Sequence, residues 1–127
     1  MNAHELMAKA AQAAASAKLL LDSGDADGAC NRAYYSMFDA ARAALLASGA
    51  PVQPEIARTH SGLIAAFSLH LVKTDRVPVA LGKALNRAEE LRLIADYKGD
   101  PVAKEEATWA VLQAQEFVHA MRLLFLP

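Results

Sequence analysis

Apolar residues recur at three- and four-residue steps along most of the chain, which is the spacing that places side chains on one face of an α-helix. No stretch shows the strict alternation of apolar and polar residues that a half-buried strand requires. Glycine, proline and short polar runs separate the periodic stretches from one another. The pattern predicts five helical segments, at about 3–22, 26–48, 59–72, 79–97 and 102–125.

The connections between these segments are short, so neighbouring helices are expected to run antiparallel. A chain of 127 residues has the length of one ordinary domain and can bury a core without disulfides or a structural metal. The predicted fold class is therefore all-α, a five-helix up-and-down antiparallel bundle that forms a single domain over residues 1–127.

Composition and charge narrow the range of functions. The formal net charge is -1, which argues against a strongly basic surface that binds long nucleic acid mainly through phosphates and leaves room only for a local basic cluster. No apolar run approaches the roughly 18 residues of a membrane span. The Ala-rich first residues also lack the compact apolar core of a secretory signal. We therefore expect a cytoplasmic protein that does not contact a membrane.

The fourth segment carries a charge inside its apolar face. On a helical wheel, Arg92 falls within the arc that contains Leu85 and Leu91. A guanidinium there needs a partner or water, and Asp96 lies four residues further on, within reach of an i,i+4 contact. The pair is either a structural ion pair or part of a binding site. Burying such a pair contributes little to stability, so the functional interpretation stays open.

A second apolar surface follows near the end of the same segment. Leu93, Ile94 and Tyr97 lie away from the main apolar face, where an isolated bundle would carry polar groups. Either the following loop covers this turn, or a second copy of the chain or a partner protein does.

The flank of the second segment mixes aromatic, amide and guanidinium groups. Tyr35 and Arg42 follow Asn31 along one side of the apolar stripe. Such a set can stack on a base and hold a phosphate, whereas Tyr35 taken singly is typical of half-buried packing.

The start of the third segment offers a candidate anion site. His60 is predicted in its first turn, close to Arg58, where free backbone amides and the positive end of the helix dipole favour an anion. A histidine there can bind phosphate or transfer a proton. The alternative is a surface histidine at a loop-to-helix junction.

Other chemistries lack the residues that they need. The remaining histidines have no companion at zinc-ligand spacing, so no metal site is predicted. The single Cys30 falls inside an apolar stripe, as expected of a buried structural thiol. No Gly-rich phosphate loop follows a strand and no Gly-x-Ser-x-Gly elbow occurs, so kinase, dinucleotide and serine hydrolase chemistry is not expected, nor is a bound cofactor.

The stretch 32–46, Arg-Ala-Tyr-Tyr-Ser-Met-Phe-Asp-Ala-Ala-Arg-Ala-Ala-Leu-Leu, resembles the signature helix of small prokaryotic HEPN proteins (higher-eukaryote and prokaryote nucleotide-binding domain). The next segment of those proteins is similar to three parts of this chain: Thr59 to Gly62, Phe67 and the run 72–74. The stretch from Arg92 to Tyr97 resembles their fourth helix, so the likeness follows most of the chain in order.

The resemblance implies a helical bundle, often a homodimer, that is commonly encoded beside a minimal nucleotidyltransferase in toxin–antitoxin-like pairs. Many members are metal-independent ribonucleases whose active site is an Arg followed after four to six residues by a His. In this chain the positions that correspond, 97 to 99, hold Tyr, Lys and Gly. Asp96 and Tyr97 could still bind a nucleotide or accept a modification, but the usual ribonuclease motif is incomplete.

Three hypotheses follow. The preferred one is a HEPN protein of a toxin–antitoxin-like pair that partners a minimal nucleotidyltransferase and binds nucleotide or RNA. The second is a metal-independent endoribonuclease in which Arg92 stabilises the phosphate and His60 transfers the proton. The third is a purely structural, dimeric interaction module. The predicted catalytic pair is Arg92 and His60, and the predicted nucleotide- or RNA-binding residues are Arg92, Asp96, Tyr97, Tyr35, Arg42 and Arg58.

Overall fold

A computed structural model describes all residues from 1 to 127 and is helical without strands. It confirms the predicted all-α bundle of five helices. The helices are α1 (Ala3–Asp22), α2 (Ala26–Ser48), α3 (His60–Phe67), α4 (Val79–Tyr97) and α5 (Lys104–Phe125). None of them is both long and apolar enough to cross a membrane.

The bounds of α1, α2 and α4 agree with the predicted segments, while the other two differ in detail. The predicted third segment is divided into α3 and a π-helical turn, Ser68–Val72, and a short 3-10 turn, Ile56–Arg58, precedes it. The last helix begins at Lys104, two residues later than predicted. Periodicity reports which residues face the core, but it does not distinguish an α-helical turn from a π-helical one.

Side-chain caps explain why the first two helices begin and end where they do. Asn2 and Glu5 form a reciprocal capping box at the start of α1. The Asp25 side chain accepts a hydrogen bond from the Gly28 amide at the start of α2. At its end, Gly49 adopts the left-handed conformation with φ of 73°, which a glycine tolerates without strain.

The second helix lies at the centre of the bundle. It packs against α1, α4 and α5, and it supplies twelve of the buried residues. Small side chains dominate its contact with α1, where the Ser36 hydroxyl donates to the Ala10 carbonyl at 2.7 Å across the two helices. Stripes of alanine let the backbones approach closely, so α1 and α2 form a tight pair.

Contacts between distant residues fix the directions of the long helices. Asn31 near the start of α2 contacts Asp96 near the end of α4, and Tyr34 contacts the earlier Glu89, so these helices are antiparallel. The Asp27 carboxylate at the start of α2 accepts from the Val102 amide, just before α5. The four long helices therefore alternate in direction along the chain, with the short α3 between α2 and α4.

The loop that leads into α3 determines where His60 sits. Thr59 caps the helix by accepting from the Gly62 amide at 3.0 Å, and its own hydroxyl donates to the Ile56 carbonyl at 3.1 Å. A Cβ atom at position 62 would clash with the Ile56 carbonyl oxygen and the Thr59 hydroxyl. The 3-10 turn and the first turn of α3 thus fit together only because residue 62 is glycine.

We predict that Gly62→Ala destabilises the protein. Alanine usually stabilises a helix by about 1 kcal/mol relative to glycine. Here the clash should reverse the sign and lower the free energy of unfolding by about 1–3 kcal/mol. Urea denaturation followed by circular dichroism measures the change, with Ser61→Ala, an exposed neighbour, as the control. A variant more stable than the parent would show that the loop shifts without cost.

Candidate functional site

The Arg92 guanidinium is buried between α4 and α2, as the helical wheel predicts. Arg92 is only 5% exposed. Its Cζ atom lies 5.2 Å from the centre of the Tyr34 ring and 5.7 Å from that of Tyr35. The guanidinium of α4 therefore contacts two aromatic rings on consecutive residues of α2. Cation–π attraction favours this arrangement.

A carboxylate completes the surroundings of this charge. Arg92 Nη1 lies 3.5 Å from Asp96 Oδ2, so the predicted i,i+4 pair forms. Asn31 Nδ2 donates to both carboxylate oxygens, at 3.2 and 3.3 Å, and links Asp96 to α2. Burial alone would lower the pKa of Arg92, but Tyr35, Tyr34 and Asp96 together raise it above its ordinary value. The guanidinium is charged at neutral pH.

His60 reaches the same pair of tyrosines from α3. Its Nδ1 atom lies 2.8 Å from the Tyr34 hydroxyl oxygen, and that hydroxyl also donates to Glu89 Oε2 at 3.0 Å. Burial, followed by the charge of Glu89, raises the pKa of Tyr34 above its ordinary value, so the phenol keeps its proton. Arg92 and His60, the predicted catalytic pair, are therefore joined through one tyrosine.

Four rings pack together at this point, and we name them the aromatic cluster: Tyr34, Tyr35, Phe38 and His60. Their neighbouring ring centres are 5.2 to 6.2 Å apart. The contacts are tilted or edge-to-face, the arrangements that aromatic rings prefer. The cluster holds the imidazole in place through packing as well as through its hydrogen bond.

Three guanidiniums surround the aromatic cluster. Besides Arg92, Arg32 lies 5.3 Å from the Tyr35 ring centre and Arg42 lies 6.0 Å from that of Phe38. The Nε atoms of Arg32 and Arg92 are buried and donate to no oxygen of the protein. A buried donor without an acceptor costs about 1–3 kcal/mol, so stability alone does not explain this arrangement.

Arg42 and Arg58 line a groove at the end of α2. The groove has a volume of about 320 Å³ and is otherwise mostly apolar, with Leu45 and Val52 among its lining residues. Arg42 lies 3.9 Å from Asp39, whose pKa is raised chiefly by burial. The two arginines therefore share a groove that Arg92 does not line.

Tyr97 and Leu93 lie on the surface at the end of α4. They are 75% and 41% exposed, so the following loop does not cover them, whereas Ile94 packs partly against the core. The predicted site residues therefore form three groups. Arg92, Asp96, His60 and Tyr35 meet at the aromatic cluster, Arg42 and Arg58 share the groove, and Tyr97 lies in the solvent.

Sequence reasoning missed three contributors to the site. The predicted site residues do not include Tyr34, Arg32 or Glu89. A signal existed for two of them, because Arg32 precedes Tyr35 by three residues and Glu89 precedes Arg92 by three, which places each pair on one helix face. Nothing local marks the hydroxyl of Tyr34, since its two partners lie 26 and 55 residues away.

The acidic, histidine and cysteine side chains form no metal site. No group of three or more His, Cys, Asp or Glu side chains is arranged to hold a metal ion. Cys30 is fully buried, as predicted. Burial, with smaller contributions from Asp27 and Glu106, raises its pKa to about 11, so it is a poor nucleophile.

Comparison with known proteins extends the resemblance to nearly the whole chain. A family model described as "HEPN domain" matches residues 3–124. A UPF0332 protein of Gloeobacter violaceus is 34% identical over 123 residues, which cover 94% of each chain. A UPF0332 protein of Thermotoga maritima is 40% identical over 85% of this chain and 79% of its own. A Methanocaldococcus jannaschii protein named "Putative toxin MJ0605" is 31% identical over 84% of this chain and 75% of its own.

The pairing of Arg92 with Asp96 predicts a measurable cost when the carboxylate is removed. Asp96→Ala leaves a buried guanidinium with no counter-ion and an unpaired Asn31 amide. We expect the free energy of unfolding to fall by about 1–3 kcal/mol, less than for a fully buried pair because the Asp96 side chain is 27% exposed. Chemical denaturation of both proteins measures it.

The matched control is Asp22→Ala. Asp22 pairs with Lys18 at the same i,i+4 spacing and in the same order of charges, but the two side chains are 56% and 51% exposed. Its removal should cost only about 0.3–0.5 kcal/mol. Equal effects of the two substitutions would contradict the view that burial makes the Arg92 pair different.

Proposed function

The chain belongs to the HEPN family, and from this premise we propose that it is a toxin-like member that binds nucleotide or RNA around the aromatic cluster and pairs with a minimal nucleotidyltransferase. The toxin-like part of the proposal is supported by the name of the Methanocaldococcus jannaschii relative. The pairing follows from the family resemblance.

One observation carries the binding proposal: three guanidiniums surround a cluster of aromatic rings, and two of them retain a buried Nε that has no acceptor. Tyr35 and His60 are the partly exposed rings of the cluster and can stack on a base, and guanidiniums bind phosphate through several donors at once. This combination suits a ligand that has both a base and a phosphate. It is also local, so it agrees with a net charge of -1.

Asp96 is the group that a phosphate would replace. It accepts from Asn31 and pairs with Arg92, and its side chain is partly exposed at the end of α4. A phosphate oxygen could take the same donors if the carboxylate rotated outward. From there an RNA strand could pass His60 and enter the groove, where Arg42 and Arg58 would bind the next phosphates.

The partner surface in this proposal is the end of α4. Leu93 and Tyr97 are exposed there and directly follow Arg92 and Asp96, respectively, in the sequence. A homodimer or a nucleotidyltransferase that covers these residues would lie directly beside the binding site. Binding of the partner and binding of nucleotide would then influence each other.

The binding proposal predicts a loss of affinity in Arg92→Met, which keeps most of the side-chain volume but removes the charge. Loss of charged hydrogen bonds worth about 1.5–3 kcal/mol corresponds to a roughly ten- to hundredfold weaker Kd. Fluorescence anisotropy with a labelled single-stranded RNA measures it, and the assay is repeated with any minimal nucleotidyltransferase that the adjacent reading frame encodes.

Arg87→Met is the control, because Arg87 lies on the same helix but is exposed and pairs with Glu90 and Glu106. It should bind RNA like the parent. The proposal fails if the protein shows no affinity for RNA or nucleotide, with or without the nucleotidyltransferase. If Arg92→Met folds, is at least as stable as the parent and binds equally well, the purely structural interpretation is correct instead.

A specific observation favours a second function, metal-independent RNA cleavage. The family pattern lacks its histidine after Arg92, yet His60 reaches the same tyrosine ring from α3. In this reaction the ribose 2′ hydroxyl gives its proton to the imidazole and its oxygen bonds to phosphorus. The bond from phosphorus to the 5′ oxygen breaks, and that oxygen takes a proton from water. The positive charge of Arg92 would stabilise the negative charge on the phosphate oxygens.

This second function predicts that RNA is cleaved in the presence of a chelator. Arg92→Ala and His60→Ala should each lower the rate by about 10²- to 10⁴-fold. His119→Ala, which removes an exposed histidine on α5, is the control and should leave the rate unchanged. Cleavage that survives both substitutions in folded protein would eliminate this assignment.

A further inference from the structure

The hydrogen bonds of Tyr34 determine which nitrogen of His60 carries a proton. Tyr34 is fully buried, and its oxygen lies within hydrogen-bond distance of two groups, Glu89 Oε2 and His60 Nδ1. A phenol has one proton to donate, and an ionised carboxylate can only accept. The proton therefore points to Glu89, and the phenol oxygen must accept from an N–H at Nδ1 of His60.

The opposite arrangement is unfavourable. If Tyr34 donated to Nδ1, its oxygen would face the Glu89 carboxylate at 3.0 Å with no proton between the two acceptors. Burial strengthens such a repulsion, because little water is present to screen it. The hydrogen bonds therefore run in one direction: Nδ1–H of His60 donates to the Tyr34 oxygen, and the Tyr34 hydroxyl donates to Glu89.

The other ring nitrogen is left available. Nε2 of His60 makes no hydrogen bond within the protein. Unlike the Nε atoms of Arg32 and Arg92, it is not fully buried. His60 is half-buried, so this atom lies on the side of the ring that solvent reaches. A neutral imidazole with a proton on Nδ1 presents a lone pair at Nε2.

We propose that Glu89 and Tyr34 are positioning residues that hold His60 as the Nδ1–H tautomer, so that Nε2 accepts a hydrogen bond from a ribose hydroxyl of the bound ligand. The site then prefers ribonucleotides to deoxyribonucleotides, because only ribose offers the 2′ hydroxyl donor. The preference for ribose rests on the proposed function, whereas the tautomer is a property of the free protein.

The tautomer is measured by long-range proton–nitrogen correlation NMR on protein labelled with ¹⁵N-histidine, at a pH at which His60 is neutral. His60→Gln identifies the signal among the four histidines. We expect a protonated Nδ1 and an unprotonated Nε2, the reverse of the tautomer that a neutral histidine favours in water. A protonated Nε2 in the parent protein would overturn the positioning proposal.

Two variants test the cause. In Glu89→Gln the amide can donate to the phenol, which frees the Tyr34 proton for Nδ1, so His60 should change to the Nε2–H tautomer. Tyr34→Phe removes the acceptor and should have the same effect. Glu90→Gln and Tyr35→Phe are the neighbouring controls and should leave the tautomer unchanged. A tautomer that survives in Glu89→Gln would show that Glu89 does not position His60.

The ligand class is tested by comparing Kd values for single-stranded RNA and DNA of the same sequence. The parent should bind RNA more tightly by about fivefold or more, the equivalent of one hydrogen bond. Glu89→Gln should lose this ratio while Glu90→Gln retains it. Equal binding of RNA and DNA by a parent with Nδ1–H overturns the ribose preference. Binding of neither refutes the proposed function and the ribose preference together, while the NMR result still decides the tautomer.

Discussion

The burial of one guanidinium is the constraint on which the site depends. Arg92 sits inside the bundle, so its charge must be compensated by groups that α2 and α4 bring to it. Two tyrosine faces and the Asp96 carboxylate supply that compensation, and the Asn31 amide holds the carboxylate. Consequently a single turn of α2, from Asn31 to Tyr35, must face α4. The contact between α1 and α2, by contrast, is built largely from alanine.

The aromatic cluster and the arginines around it are not arranged for maximal stability. The buried Nε atoms of Arg32 and Arg92 lack acceptors, and well-packed apolar side chains often replace a buried ion pair without loss of stability. A core of 32 buried residues, to which Tyr34 and Phe38 of the aromatic cluster also belong, provides the stability that such a local deficit requires. Residues that cost stability where they stand are more readily explained by a ligand than by packing, and this favours binding over a purely structural role.

The sequence was sufficient to predict five helices because glycine, proline and capping residues mark most of their bounds. Gly49 ends α2 through its left-handed conformation, and Arg92 was visible as a charge on an apolar face. The site could be predicted only in part, because its hydrogen bonds join residues far apart in the chain. Tyr34 illustrates the limit: periodicity places it in the core but does not reveal that its hydroxyl meets Glu89 and His60. Arg42 and Arg58 were grouped with Arg92 for their chemistry, but the fold places them in a groove that Arg92 does not line.

The role of a side chain in such a site follows from the atoms that it meets and not from its place in a motif. The family pattern expects an imidazole on the same helix as the arginine, four to six residues later, where this chain has Tyr97 and no histidine. The imidazole of His60 arrives from α3 instead, and the turn closed by Thr59 and Gly62 sets its position. Its Nδ1 is bound to Tyr34, and the ring of that tyrosine also faces Arg92. In the proposed function, phosphate binding by Arg92 and proton acceptance by His60 would therefore both depend on one residue of α2, and a change at Tyr34 would affect both groups at once.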